Sequence, residues 1–479
     1  MGAREGVGGW GVGCWRVVLV GGVVGGLRSL RDWPVSGSGL VARVRWVSKR
    51  AGRQRRSGHP AKRSGRSGGA AAGRSGGGGG PGAVARRIVR EASALRGALE
   101  AELWGSALVG VLWKRRFDLE PEDFARGYAI VYGEPLIGAV ASIGGVGAAV
   151  ALRVIAAVDD GELGIRAAEF AAGLAAAGGL PGWVEDLGEA EIVAGAVMRE
   201  EIFDDGFTVF LEARHRDGEQ HAVGVYIDNN LGVVAKDILL ADSIEAVERV
   251  MREHPPADGQ LVLEPVAAGV AAGQIHAAIE LTDMTLGVDL DEDFADLRAI
   301  ALMRGDEAWA YEPVDERATL ERHARDRLLD EFLSSPEAAG IARDSDETFV
   351  VGLAIDFAAD YADGRPLRWS PVLVELFMVD WLPRKVINPD SVLAALPTAL
   401  RAWVRFAGRE TAKPAWAIDM TVEAIDHWHQ SILDARNGPT VPASARRALK
   451  AARQARIDLN DQTHLTAFIT DDNENPREQ

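Results

Sequence analysis

The apolar positions of the Ala-rich part of the chain recur with helical spacing. In residues 86–112, Trp104, Leu108 and Leu112 fall on one face of a helix at intervals of four residues. Residues 118–199 follow as Ala-rich segments, which short breaks containing Gly, Pro or Asp separate. This pattern predicts a compact bundle of helices.

One apolar run in this region is long enough to be tested as a membrane span. Residues 136–152 consist mostly of Ala, Gly and Val, whereas a span needs about 20 strongly apolar residues. We therefore expect a buried helix, or two helices broken at Gly144-Gly145, and no membrane partner.

The pattern changes to strands in the middle of the chain. Residues 207–214 and 221–228 are predicted strands on either side of a turn centred on Asp217-Gly218, and residues 232–239 are a third. Three consecutive antiparallel strands form a meander, which needs neighbouring helices to cover its apolar face.

Helical signals return after the meander. Residues 260–330 are α-rich, residues 316–332 predict a long amphipathic helix, and Ser370-Pro371 begins a helix that is expected to end at Pro383. We expect the tryptophans of this half to be core anchors: Trp369, Trp381, Trp403, Trp416 and Trp428. The predicted fold class is mostly α with a small antiparallel β-meander (α+β), preceded by a disordered basic N-terminal tail.

Five regions follow from these signals. They are a disordered, basic Gly/Arg/Ser-rich tail (1–82), an Ala-rich helical region (83–199), an α+β region with the meander (200–330), a C-terminal helical region (331–436), and a basic helix with a polar disordered end (437–479).

Charge is divided unevenly between these regions. Residues 1–82 carry fifteen Lys and Arg against two acids, a net charge of +13, whereas residues 83–479 carry a net charge of −30. Between Arg43 and Arg74 there are eleven bases and no acid, interleaved with Ser and Gly in a low-complexity sequence. A segment of this composition is not expected to fold, and it is suited to binding a polyanion.

The basic tail is the clearest indication of a partner. Flexible cationic chains bind phosphate backbones, but this one lacks aromatic residues for base stacking, so it predicts contact with nucleic acid or a ribonucleoprotein without sequence specificity. The candidate binding residues are Lys49, Arg50, Arg53, Arg55, Arg56, Lys62, Arg63, Arg66 and Arg74. The alternatives are a tail that folds back on the acidic body and a terminus under little selection.

Cysteine usage and the N-terminus bear on the compartment. The single cysteine, Cys14, lies in the tail, so disulfides and thiolate metal sites are excluded from the body, and a cytoplasmic location is expected. The apolar run 17–27 lacks a convincing signal-peptide cleavage site. An alternative hypothesis is that translation starts near Val47, so that residues 1–46 are not translated.

Four residues form a candidate site in the body: Asp228, Asp356, Asp360 and His427. Asp356 and Asp360 lie one helical turn apart, as do Glu423 and His427, but a metal site needs further ligands that the sequence does not supply. We therefore expect no metal and no cofactor, and interpret these pairs as surface contacts.

Two features of the meander admit two interpretations each. Asp228-Asn229-Asn230 could present a catalytic group, but these residues are also typical of a turn, which is the favoured interpretation. His215 and His221 flank the first hairpin and could meet across it, but we expect them to be exposed polar residues.

Five segments of the body carry a resemblance to known sequences: 226–232, 236–237, 367–371, 380–385 and 400–406. With them, about residues 85–435 resemble an uncharacterised actinobacterial protein family of unknown function. Members of that family often have His at the position of Asn229, so any role for that ring would be absent here.

These observations predict a non-enzymatic cytoplasmic binding or adaptor protein whose tail contacts nucleic acid. One alternative is an enzyme with a carboxylate-containing site between the meander and the C-terminal helices. Another is a scaffold that binds a protein partner through the C-terminal helices, which would show a large exposed apolar patch on residues 372–406.

Overall fold

A computed structural model describes most of the chain from residue 81 onward. The described residues are 15–21, 42–48, 81–174, 179–255, 261–285, 287–308, 320–385 and 390–437. Strands β1 (Trp15–Gly21) and β2 (Ala42–Ser48) pair with each other in antiparallel register. The nine candidate nucleic-acid-binding residues and the predicted C-terminal basic helix lie outside the described residues.

Five helices form the first layer of the body: α1 (Pro81–Ala92), α2 (Ala98–Lys114), α3 (Glu134–Ile143), α4 (Gly145–Val158) and α5 (Glu162–Ala172). The expected break within 136–152 is confirmed, because Gly144 adopts a φ of 71° that favours glycine. The helical pattern of residues 86–112 is divided between two helices, α1 and α2. The chain turns between α1 and α2, where Ser93 Oγ donates to the Val89 carbonyl at 2.7 Å and Gly97 is extended.

The middle of the chain forms one five-stranded antiparallel sheet. Its strands are β3 (Glu191–Glu200), β4 (Gly206–Arg214), β5 (Gln220–Asp228), β6 (Val234–Ala241) and β7 (Leu261–Val266), in the order β6-β5-β4-β3-β7. The three predicted strands are confirmed as β4, β5 and β6. Helix α6 (Ile244–Glu253), whose cap residue Ser243 accepts from the Ala246 amide at 3.0 Å, leads the chain across to β7.

Two strands were missed because their sequences carry little strand signal. Residues 191–200 were assigned to the Ala-rich helices, but as β3 they pair with β4 on one side and β7 on the other. Gly195 within β3 permits close approach of α7 (Ala268–Met284), since a Cβ there would lie 3.2 Å from the Ala271 Cβ. Strand identity at these positions is therefore decided by pairing and packing.

Helices cover both faces of the sheet. Helices α7 and α8 (Phe294–Asp306) share a core with β4 and β5, while Val247 of α6 packs with Phe210 on the other face. Helix α8 also contacts α2, where Ser106 Oγ donates to the Asp296 carbonyl at 2.8 Å. Helix α8 thus joins the sheet to the helical bundle.

The C-terminal region is helical, with α9 (Arg322–Leu333), α10 (Asp346–Asp360), α11 (Pro371–Glu375), α12 (Leu382–Lys385), α13 (Asp390–Glu410) and α14 (Ala415–Asn437). The prediction that the helix ends at Pro383 was wrong, because α12 includes this residue. A π-helical segment, Leu376–Trp381, connects α11 to α12, and the wider turn carries the helix past the proline.

The tryptophans of this region divide between core and surface. Trp369 and Trp403 are buried, but Trp416 is 41% exposed and meets only the edge of Phe203 among the aromatic rings described. Across the described helices, none combines the length and apolar character needed to cross a bilayer.

Candidate functional site

The sheet and the C-terminal helices meet at a junction organised around Arg368. This side chain is 5% exposed, and its Nε donates to Asp363 at 2.6 Å. Its two terminal nitrogens donate to Asp205 (3.2 Å), the Asn230 side-chain oxygen (3.0 Å) and the Asn229 carbonyl (3.2 Å). The planar guanidinium thus connects the loop before α11 to two turns of the sheet.

The β5–β6 turn is held by its own side chains, as expected for Asp228-Asn229-Asn230. Asp228 accepts from the Asn230 amide at 2.7 Å and from Lys236 Nζ at 3.0 Å. Asn229 Nδ2 donates to the Asp204 carbonyl at 2.9 Å. All three turn residues are buried, so Asp228 fixes the turn that Arg368 contacts.

The β3–β4 turn lies opposite. The Glu200 carboxylate accepts backbone amides of Ile202, Phe203 and Asp204, at 2.7, 2.8 and 3.0 Å. Asp204 has a positive φ of 51°, a conformation that Asp tolerates better than most residues.

Asp205, which follows in this turn, is a carboxylate in a poorly solvated position. Burial raises the pKa of Asp205 to about 6, although the nearby Arg368 charge and the Ser370 hydroxyl oppose the rise. Ser370 Oγ donates to Asp205 at 2.5 Å and accepts from the Leu373 amide at 3.1 Å, so this residue also caps α11 as predicted.

Lys413 enters the junction from the turn between α13 and α14. Its Nζ donates to the Ile202 carbonyl at 2.8 Å and to the Trp369 carbonyl at 3.0 Å. Burial is the main cause that lowers the pKa of Lys413 to about 8. The negative charge of Asp205 raises this pKa, and the positive charge of Arg368 lowers it further.

A cleft of about 460 Å³ opens at this junction, and we call it the junction cleft. Its apolar walls are Ile202, Phe203, Pro366, Leu367 and Pro414. Its polar lining includes Glu201, Asp204, Arg365, Arg368, Thr411 and Lys413. The junction cleft therefore combines an apolar surface with cationic and anionic groups, as small-molecule sites do.

The structure brings one of the four predicted site residues, Asp228, to this junction. Asp356 and Asp360 pair with Arg325 on an exposed face of α10, with an oxygen of Asp356 2.8 Å from the guanidinium. His427 is exposed on α14, with its ring against Trp428 at a centroid distance of 4.8 Å. The sequence analysis did not identify the other charged residues of the junction, because they share no periodic pattern. These are Asp204, Asp205, Asp363, Arg365, Arg368 and Lys413.

A second group of charged residues surrounds Arg304 of α8, which is fully buried. The expectation that His215 and His221 are exposed was wrong, since they are 3% and 4% exposed. They do meet across the hairpin, with ring centroids 5.8 Å apart. Arg304 Nε donates to His221 Nε2 at 3.0 Å, and a terminal nitrogen lies 3.2 Å from His215 Nε2.

Two glutamates neutralise Arg304. It donates to both oxygens of Glu307 at 2.8 Å and pairs with Glu102 of α2. Burial raises the pKa of Glu307 to about 7 despite the Arg304 charge. His215 and His221 are buried because α8 and α2 cover them. The alternation of side chains within a hairpin does not predict this, because both helices are distant in the sequence.

A second cleft, of about 660 Å³, borders this Arg304 cluster and has an acidic lining. Glu307 lines it, and so does Gly188, whose amide donates to Glu102 at 2.9 Å. Its other carboxylates are Asp159, Asp160, Glu162 and Asp306, against the cations Arg126 and Arg298. This lining disfavours a polyanion.

Neither cleft is marked as a metal centre. Within the described ranges, no group of three or more His, Cys, Asp or Glu side chains is arranged to hold a metal ion.

Comparison with known proteins gives no homologue for this chain: no protein-family model, no curated protein and no solved structure matches it. Its function is therefore inferred from charge and from the geometry of these clefts.

Proposed function

We propose that the protein is a non-enzymatic cytoplasmic binding or adaptor protein whose basic N-terminal segment contacts nucleic acid or a ribonucleoprotein surface. The observation that carries this proposal is the run of eleven Lys and Arg without an acid between Arg43 and Arg74. Neutralising phosphates with such a run releases counterions, which favours binding at low salt and is independent of base sequence.

The charge of the body supports assigning this contact to the tail. Residues 83–479 carry a net charge of −30, and carboxylates outnumber cations in the lining of the larger cleft. A polyanion is repelled by such a surface, so the body is left free for a different partner.

The proposal is tested with two full-length variants of equal charge change. The first replaces the arginines of the Arg-Ser-Gly repeats, Arg56, Arg63, Arg66 and Arg74, with Gln. The matched control replaces four arginines on the body whose side chains are more than half exposed, Arg126, Arg216, Arg252 and Arg343. Binding to single- and double-stranded oligonucleotides is measured from about 50 mM to about 200 mM salt.

We expect the tail variant to bind more weakly to all sequences and to lower the salt slope by up to about 3, while the control retains the wild-type slope. Wild-type protein that fails to bind at the lowest salt, or equal losses in both variants, would contradict the proposal.

A second candidate is an enzyme or small-molecule binder that acts in the junction cleft. The observation that favours it is a cleft with apolar walls into which Arg365, Arg368 and Lys413 project polar groups. A panel of small organic acids and carbonyl compounds at millimolar concentration should then raise the unfolding midpoint. The candidate fails if no compound changes it.

The scaffold alternative has less support. Val379 is the one large apolar side chain strongly exposed in the described part of 372–406, so this segment offers no broad apolar patch.

A further inference from the structure

The Lys413 amine is held by two backbone carbonyls from two different segments. Ile202 belongs to the β3–β4 turn and Trp369 to the loop before α11, and their oxygens lie 2.8 and 3.0 Å from Nζ. Both interactions require an N–H donor. The position of the nitrogen is therefore fixed by backbone atoms of the two elements that form the junction cleft.

This arrangement fits the neutral form of the amine. A neutral amine has two N–H groups and one lone pair, whereas an ammonium has three N–H groups and no lone pair. The two carbonyls satisfy both N–H groups of the neutral form, which leaves the lone pair unengaged by these contacts. In the ammonium form, a third N–H would need a partner, and the side chain is only partly exposed.

The protonation equilibrium agrees with this geometry. With its pKa lowered to about 8, about 10% of Lys413 is neutral at pH 7. An exposed lysine, with a pKa of about 10.4, is less than about 0.1% neutral at the same pH. Desolvation of a lysine in an apolar pocket is an established way to produce a nucleophilic amine.

The junction cleft gives small molecules a place beside this amine. Lys413 is among its lining residues, and the walls next to it, such as Phe203 and Pro414, are apolar. The Phe203 ring centroid lies 5.3 Å from Nζ. An apolar wall excludes water from the amine and can pack against a short hydrocarbon chain.

We propose that Lys413 is a nucleophile that binds small aldehydes or ketones in the junction cleft as an imine. This inference rests on the second candidate function, a small-molecule site in the cleft, and it names the ligand class.

The chemistry balances without an oxidant or reductant. The Nζ lone pair attacks the carbonyl carbon, a C–N bond forms, and the carbonyl oxygen takes up a proton from water while nitrogen releases one, giving a carbinolamine. The hydroxyl then takes up a proton and leaves as water, while the C=N bond forms and the nitrogen loses its remaining proton to the solvent. One amine and one carbonyl compound therefore give one imine and one water.

The test uses the full-length protein with propanal and cyanoborohydride near pH 7, which reduces any imine to a stable secondary amine. The chain has seven lysines, and peptide mass spectrometry gives the rate of modification at each. Lys114 is the reference because its side chain is 52% exposed. We expect Lys413 to react at least about tenfold faster than Lys114, because its neutral fraction is larger. A rate equal to or below that of Lys114 would overturn the proposal.

A second reagent separates the imine proposal from the cleft itself. Acetylation by the N-hydroxysuccinimide ester of acetic acid requires only access to a neutral amine. If Lys413 is acetylated rapidly but not alkylated by propanal, the cleft admits small molecules and the imine proposal fails. If neither reagent modifies Lys413 faster than Lys114, the imine proposal fails, and the small-molecule candidate is decided by the shift in the unfolding midpoint.

The control variant is Lys413→Arg, which keeps a cation but cannot form the imine. It should lose the fast-reacting site while the rates at Lys114 and Lys236 remain as in the wild type. An unchanged fast component in this variant would show that another amine is responsible.

Discussion

Arg368 donates a hydrogen bond to the side-chain oxygen of Asn230 at 3.0 Å, although the two residues are 138 positions apart. The same guanidinium bonds Asp363 and Asp205, so one buried cation holds the sheet against the C-terminal helices. Asp205 also accepts from Ser370 and Asp363 from Arg365, whereas the buried Asn230 side chain and Asn229 carbonyl rely on Arg368 at this junction.

Removing that cation should destabilise the protein strongly. Arg368→Gln removes the ion pair to Asp205 and the hydrogen bonds to the buried Asn230 side chain and Asn229 carbonyl, so we expect a loss of about 3–5 kcal/mol in the free energy of unfolding. Chemical denaturation measures this loss. The matched change Arg343→Gln removes an exposed ion pair with Asp330 and should cost less than about 1 kcal/mol. Equal effects of the two changes would refute this role for Arg368.

Ala412 should be improved by glycine. It has a φ of 53° at the end of α13, where the Lys413 amide bonds the Gly408 carbonyl and the Ala412 amide bonds the Arg409 carbonyl. This is the helix-ending motif in which glycine is usual. We expect Ala412→Gly to raise the free energy of unfolding by about 0.5–1 kcal/mol.

The control for that change lies in the same helix. Ala394 is exposed within α13, and Ala394→Gly should lower the free energy of unfolding by about 1 kcal/mol, as helix propensity requires. Thermal or denaturant unfolding distinguishes the two signs, and destabilisation by both changes would count against a strained Ala412.

The lowered pKa of Lys413 predicts how stability changes at alkaline pH. Between about 8, the folded value, and about 10.4, the unfolded value, the unfolded chain binds more protons at this position. Stability should therefore rise with pH over this window, by up to about 3 kcal/mol. Other groups titrate there too, so the measurement is the difference between wild type and Lys413→Met across the window. A flat difference would mean that the folded pKa is not lowered.

The lowered pKa of His221 predicts that the protein loses stability at mildly acidic pH. Burial lowers its pKa well below the usual value, and the Arg304 charge and His215 lower it further, while Glu102 and Glu307 are the acids of the same cluster. The unfolded chain then gains a proton near pH 6.5 that the folded chain does not, so stability falls as pH decreases through that value.

Glu307, whose folded pKa is about 7, opposes this trend between about pH 4.5 and 7. The informative quantity is therefore wild type minus His221→Gln. It should decrease by about 1.4 kcal/mol for each pH unit below about 6.5, until the folded histidine itself titrates. Denaturant unfolding between pH 5 and 7 measures this difference in the free energy of unfolding. A difference that increases as the pH falls would contradict a lowered pKa for His221.

Much of the local structure could be predicted from the sequence, because it depends on neighbouring residues. The Gly206–Ala241 meander follows from alternating side chains and its turns, and Ser370 begins a helix as expected. The break at Gly144 follows from the freedom of glycine at positive φ. The Asp228 turn was also predicted, but not the fact that it is buried.

The sequence alone also determines the separation of a basic tail from an acidic body, since charge needs no fold to be counted. Tertiary structure decided the rest. Strand β3 gains its identity from partners on both sides, and His215 and His221 are buried because Arg304 comes from α8, more than 80 residues away. Lys413 acquires its lowered pKa only where Ile202 and Trp369 enclose its amine. Burial and desolvation arise from atoms that are distant in the chain, so no local pattern encodes them.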